Sequence, residues 1–103
     1  MFPRGGLHDH LLALANPTRL RIVEQLADGE RNVNDLAAHL RVAQPLISWH
    51  LRMLRLGGII RTRREGRQVY CSLDLDAIRA QQEDLNRLLG INPKAPVLKG
   101  VKE

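Results

Sequence analysis

Arginine side chains are concentrated in one stretch of the chain, where their type and density are suited to binding phosphate. Seven arginines and a single acid, Glu65, lie between Arg41 and Tyr70, a local excess larger than the net charge of +5 on the whole chain. The seven are Arg41, Arg52, Arg55, Arg61, Arg63, Arg64 and Arg67. The planar guanidinium donates paired hydrogen bonds to phosphate oxygens and to base edges, so this stretch predicts a nucleic-acid partner. The alternative is a solvated basic face.

Helical periodicity and end signals predict the elements that position these arginines. The spacing predicts helices over 7–15, 17–27 and 44–56, the second of them capped by Asn16, and a further helix capped by Asn32. It also predicts strands over 59–64 and 68–73 joined at Gly66, and a last helix that is capped by Asp74 or Asp76 and ends near Leu89. The order ααααββα is mainly α with a β-hairpin (α+β), as in a winged helix-turn-helix. We expect a flexible arm over 1–6, one DNA-binding and dimerisation domain over 7–90, and a mobile tail over 91–103.

The fourth predicted helix has an apolar face and a face suited to the major groove of DNA. Ile47, Leu51 and Leu54 fall together, which leaves polar and exposed side chains on the other side. We expect Gln44 to bind adenine and Arg52 to bind guanine or a phosphate, with Ser48 on a phosphate. Trp49 faces either the DNA or a neighbouring surface of its own domain.

The predicted hairpin carries Arg61, Arg63, Arg64 and Arg67 around the turn at Gly66. Such a wing reaches the DNA backbone or the adjacent minor groove, and a solvated hairpin tip is the alternative. The predicted DNA-binding residues are therefore Gln44, Pro45, Ser48, Trp49, Arg52, Arg63, Arg64 and Arg67.

Four segments resemble the ArsR/SmtB family of bacterial winged-helix repressors. They are LANPTRLRIV at 14–23, DLA at 35–37, QPLISWHL at 44–51 and RREGRQVY at 63–70. The resemblance covers roughly residues 7 to 90. It implies a transcriptional repressor that binds an inverted-repeat operator and releases it when an inducer or co-regulator acts. The family often has Ser or Thr at the position of Ala43, which has no side-chain oxygen to cap the following helix.

The resemblance also implies a homodimer formed by the first and last helices. The residues agree, because the last predicted helix has an apolar stripe that a single protomer has little means to cover. The predicted interface residues are Leu7, Leu11, Leu14, Ile78, Leu85, Leu88 and Leu89.

The usual metal sites of the family lack their ligands in this chain. Asn32 and Asn34 stand where the family's thiolate sensors have cysteines. The family's zinc and nickel sensors use Asp and His of the last helix, and in this chain no histidine follows His50. Neutral amides are poor ligands for thiophilic metals. His8 and His10 remain candidates for an unusual nickel or zinc site, and the alternative is a polar N-terminal turn. We expect no cofactor.

Other function classes are excluded on chemical grounds. No nucleophile is paired with a base, and no glycine-rich phosphate loop occurs, so we do not expect an enzyme. A winged helix for protein contacts is the remaining alternative. Cys71, the single cysteine, is expected to be buried in a strand. No apolar run approaches the length of a membrane span, and we expect a cytoplasmic protein.

Overall fold

The computed structural model describes residues 6–92, and most of the predicted arm and tail lie outside these residues. The elements, in chain order, are α1 (Leu7–Leu14), α2 (Pro17–Leu26), β1 (Arg31–Asn32), α3 (Val33–Leu40), α4 (Gln44–Leu56), β2 (Ile60–Glu65), β3 (Gln68–Leu73) and α5 (Leu75–Leu89). This architecture confirms the predicted winged helix-turn-helix, mainly α with a β-hairpin wing. The bounds of α4 and β3 match the prediction residue for residue, and of the two caps considered for the last helix the structure has Asp74.

Short polar side chains begin three of the helices, as the sequence predicts. The Asn16 side chain accepts a hydrogen bond from the Arg19 backbone N–H at 3.1 Å. Asn32 starts α3 and Asp74 starts α5 in the same way. Each cap satisfies a backbone N–H that has no partner within its helix.

A two-residue strand, β1, is the element that the periodicity did not predict. It pairs antiparallel with β3, Arg31 opposite Cys71 and Asn32 opposite Tyr70, so the sheet has the order β1-β3-β2. Two residues are too few to show alternation in a sequence, and only the pairing partner reveals them. The hairpin turns at Gly66, whose φ of +62° lies in the left-handed region.

The core lies where α2, α3 and α4 pack against the sheet, and it is almost entirely aliphatic. The fully buried side chains are Ile22, Leu36, Ile47, Leu54, Ile59, Ile60 and Cys71. Cys71 confirms the prediction of a buried strand cysteine, and burial raises the pKa of its thiol to about 11.

Helix α1 lies close against the end of α4, because Gly57 has no side chain. A Cβ at Gly57 would stand 2.4 Å from Cβ of Ala13. The sequence suggests Gly57 only as a helix stop. The structure gives it a second role, which is to let two helices approach closely. No helix among residues 6–92 is long and apolar enough to cross a membrane.

Candidate nucleic-acid interface

Helix α4 is fixed by one face and exposed on the other. Ile47, His50, Leu51 and Leu54 are buried. The exposed face carries the predicted side chains, among them Trp49, which is 51% exposed and therefore does not pack fully onto its own domain. The buried face fixes how far the exposed face rotates about the helix axis, so the polar side chains project in a set direction.

An open cleft of about 460 Å³ separates α4 from the β2–β3 wing. Five of the predicted residues line it, namely Gln44, Ser48, Arg52, Arg63 and Arg64. The cleft also takes in Arg55, which the sequence prediction placed on the exposed face but left out of the site. Pro45, Trp49 and Arg67 are exposed but do not line it. Residues from a helix and a hairpin thus form one basic surface.

Four arginines of α4 and the wing are uncompensated. Within residues 6–92, Arg52, Arg55, Arg64 and Arg67 make no ion pair and no side-chain hydrogen bond. Exposed cations without acidic partners attract a polyanion and release its counterions on binding.

Gln44 is held in place before any ligand arrives. Its amide nitrogen donates to the Ser48 hydroxyl at 2.9 Å, one helical turn further along α4. The bond leaves the Gln44 amide oxygen available as an acceptor. Both side chains lie at the N-terminal end of α4, the end from which recognition helices contact base edges.

Arg63, by contrast, is paired with two carboxylates. Its guanidinium donates to both carboxylate oxygens of Glu30, each at 2.8 Å, and to Glu65 at 2.9 Å. It also lies 4.5 Å from the centre of the Tyr70 ring. The bond to Arg63 lowers the pKa of Glu30, and the two carboxylates raise the pKa of Arg63. The sequence prediction did not single out Glu30, because it lies far along the chain from the wing.

A hydrogen bond from α2 also supports α4. Arg19 donates through Nε to Nδ1 of buried His50 at 3.1 Å, which fixes His50 with its proton on Nε2. Burial, and secondarily the Arg19 charge, lower the pKa of His50. His50 is therefore packed and hydrogen-bonded within its own domain.

The two N-terminal histidines have different surroundings. His10 is buried and its Nδ1 donates to the backbone oxygen of Gly57 at 2.9 Å. His8 is exposed, and its Nδ1 lies 3.6 Å from the Asp9 carboxylate. Across residues 6–92, no group of three or more His, Cys, Asp or Glu side chains is placed to hold a metal ion.

The two asparagines at the family's thiolate position have structural partners. Asn32 accepts from the Asn34 backbone N–H at 2.7 Å, which caps α3. The amide of Asn32 also hydrogen-bonds to Gln68 of β3. The Asn32 side chain therefore joins the start of α3 to the wing.

The predicted dimer residues lie on α1 and α5, and several are exposed in the single chain. Leu11 is 42% exposed, Leu88 70% and Leu89 60%, whereas Leu7, Leu14, Ile78 and Leu85 are half-buried. No residue of α5 is buried. Such an apolar surface is typical of a protein–protein contact.

Comparison with known proteins places this architecture in a bacterial group. Residues 16–62 match the family described as "Bacterial regulatory protein, arsR family". The transcriptional activator HlyU of Vibrio cholerae is 38% identical over 76% of this chain and 72% of its own length. The repressor SmtB of Mycobacterium tuberculosis is 46% identical over 57% of this chain but only 44% of its own length.

Solved structures agree in sequence and in shape. The structure of HlyU from Vibrio cholerae has a TM-score of 0.65 at 38% identity, covering 78% of this chain and 87% of that one. A homodimeric winged helix-turn-helix DNA-binding domain from Mycobacterium bovis has a TM-score of 0.67 at 32% identity, covering 82% of this chain and 77% of that one.

Proposed function

Because the chain belongs to the ArsR family of bacterial regulatory proteins and is a transcriptional regulator rather than an enzyme, we propose that it represses transcription as a homodimer on an inverted-repeat DNA operator. The observation that carries this proposal is the cleft between α4 and the wing, where uncompensated arginines flank the ordered pair Gln44 and Ser48. This basic surface argues against the alternative of a winged helix used for protein contacts.

Side chains of α4 recognise the DNA bases, and side chains of the wing strengthen binding without recognising bases. Gln44, Pro45, Ser48, Trp49 and Arg52 enter the major groove, where an amide pairs with adenine and a guanidinium with guanine. Arg64 and Arg67 contact the backbone or the adjacent minor groove and carry no sequence preference.

The second protomer docks on the leucine surface of α1 and α5. The homodimeric relative from Mycobacterium bovis supports this assembly. A two-fold axis then relates the two copies of α4, so the two DNA half-sites that they contact form an inverted repeat.

Signal sensing does not use the family's cysteine or last-helix metal sites. Asn32 is committed to capping α3, and α5 carries no histidine. Imidazole nitrogens hold nickel or zinc by converging on one point, whereas His10 is buried against Gly57 and His8 is exposed. We therefore propose that an organic inducer or a co-regulator protein releases the DNA.

Selection of bound duplexes from a random-sequence pool tests the DNA-binding proposal. Gln44→Ala should weaken binding to the selected duplex by about 1–3 kcal/mol and binding to random duplex very little, because the lost contact is to a base. The matched control is Arg67→Ala, which should weaken both equally. Failure to enrich any sequence would contradict the proposal, and equal losses for Gln44→Ala on both duplexes would assign Gln44 to the backbone.

Titration of the protein–duplex complex with nickel, zinc and cadmium, with release of the duplex followed by fluorescence anisotropy, tests the proposal on sensing. We expect none of the three metals to release the selected duplex from the wild-type protein. Release by nickel or zinc that disappears in His8→Ala/His10→Ala would overturn it in favour of the N-terminal histidines. Release by cadmium would overturn it in favour of a soft-metal site.

A further inference from the structure

Arg63 differs from Arg64 and Arg67, the two arginines nearest to it around the wing turn, because its charge is already neutralised. Two carboxylates, from Glu30 and Glu65, contact its guanidinium at 2.8 and 2.9 Å. The cluster of these three side chains has a net charge of −1. Three of the five N–H groups of Arg63 are used in these bonds, and a DNA phosphate that approached the other two would be repelled by the neighbouring carboxylates.

The same cluster joins three segments of the sheet. Glu30 immediately precedes β1, Arg63 lies in β2, and Tyr70 in β3 pairs directly with both Arg63 and Asn32. The fork therefore connects the α2–β1 loop to β2 across the central strand. Backbone pairing joins β2 to β3 alone, so the fork adds a second restraint, which reaches over β3 to the loop before β1.

We propose that Glu30 is a positioning residue for DNA binding: through its fork to Arg63 it fixes the angle of the wing, and Arg63 acts as a strut rather than as a phosphate contact. This inference rests on the proposed DNA-binding function. It separates Arg63, which sets geometry, from Arg64 and Arg67, which meet DNA.

The salt dependence of binding separates a strut from a phosphate contact. The probe is a fluorescein-labelled duplex enriched by the selection, with anisotropy measured over a series of salt concentrations. Removing the ion pair in Glu30→Gln/Arg63→Gln should weaken binding about two- to fivefold and leave the slope of log K against log salt unchanged. The control Arg64→Gln should reduce that slope by about one, because one phosphate contact is lost.

Two further variants test the geometry of the fork. Arg63→Lys keeps the charge but has no planar fork, so it should weaken binding as much as the double variant, again at constant slope. Asp28→Asn removes a nearby exposed acid whose ion pair is with Arg31 and not with Arg63, and it should leave binding unchanged. A slope that falls by about one in Glu30→Gln/Arg63→Gln, or full affinity in Arg63→Lys, would overturn the proposal.

The free protein gives a readout that does not depend on DNA. In nuclear magnetic resonance spectra, the Arg63 Nε–H proton should exchange slowly with solvent in the wild type and rapidly in Glu30→Gln, with Asp28→Asn as the unchanged control. Rapid exchange in the wild type would overturn the strut even if the protein binds DNA. Slow exchange in a protein that binds no duplex would instead contradict the proposed function and leave the fork itself intact.

Discussion

Helices α4 and α5 are of similar length, but they differ in what holds them. Of its 13 residues, α4 buries four, and it receives hydrogen bonds or close contacts from α1 and α2. The 15 residues of α5 include none that is buried, although their apolar stripe is as clear in the sequence. One protomer therefore completes the surroundings of the recognition helix but not those of the last helix.

This difference separates two functions within one small chain. Under the proposed function, the direction of the side chains that read DNA is set by contacts inside the protomer, whereas the distance between two copies of α4 would depend on how α5 and α1 meet a second protomer. A signal that changes the dimer contact can then alter the distance between the two α4 helices without unfolding the core around either of them.

The largest expected effect comes from placing a charge on the uncovered helix. Leu88→Glu should weaken dimerisation by about 4 kcal/mol, roughly a thousandfold, because an unpaired carboxylate would be buried between protomers. Sedimentation should then show monomers and operator binding should be lost. The control is Leu20→Glu, an equally drastic change at an exposed leucine of α2, which should leave a dimer. A dimeric Leu88→Glu protein would show that α5 is not the interface.

A second pair of substitutions compares the two helices within one protomer. In the monomeric Leu88→Glu background, Ile47→Ala should lower the free energy of unfolding by about 3 kcal/mol, since it leaves a cavity in the core. Leu89→Ala should lower it by less than about 0.5 kcal/mol, because that side chain is largely exposed. Urea denaturation measures both, and similar losses would mean that α5 is as well packed as α4.

A smaller gain is expected at the start of α4, which has no side-chain cap. Ala43→Ser should raise the free energy of unfolding by about 1 kcal/mol, because a hydroxyl can accept a bond from an unpaired backbone N–H of the first turn. Thermal unfolding measures the gain. The control is Ala38→Ser, an exposed position inside α3 where no cap is needed and where we expect no gain.

The smallest effect is a pH dependence from His50. Its pKa is lowered in the folded protein, so the unfolded chain takes up the proton first, and stability should begin to fall as the pH drops below about 6.5. His50→Gln keeps an acceptor for Arg19 but does not titrate, so its stability should be flatter between about pH 7 and 5. Identical pH profiles for the two proteins would show that His50 titrates alike in both states.

Local signals in the sequence determined most of the secondary structure. Asn16 followed by Pro17, Asp74 before α5 and Gly90 after it act within one helical turn, and so they are readable without knowledge of the fold. The apolar face of α4 was readable for the same reason, since the helical period alone brings Ile47, Leu51 and Leu54 together. The family resemblance, found in four motifs, is confirmed.

The tertiary structure alone decided which charges are free and which are paired. Strand β1 exists only because β3 lies beside it, and Glu30 reaches Arg63 only because β1 carries it there. Likewise His10 and Gly57 are 47 residues apart in the chain, yet they are hydrogen-bonded. Composition and periodicity report on neighbours within a few residues, whereas these contacts follow from how whole elements pack. For that reason the sequence placed Arg63, Arg64 and Arg67 in one class, and the fold divides them.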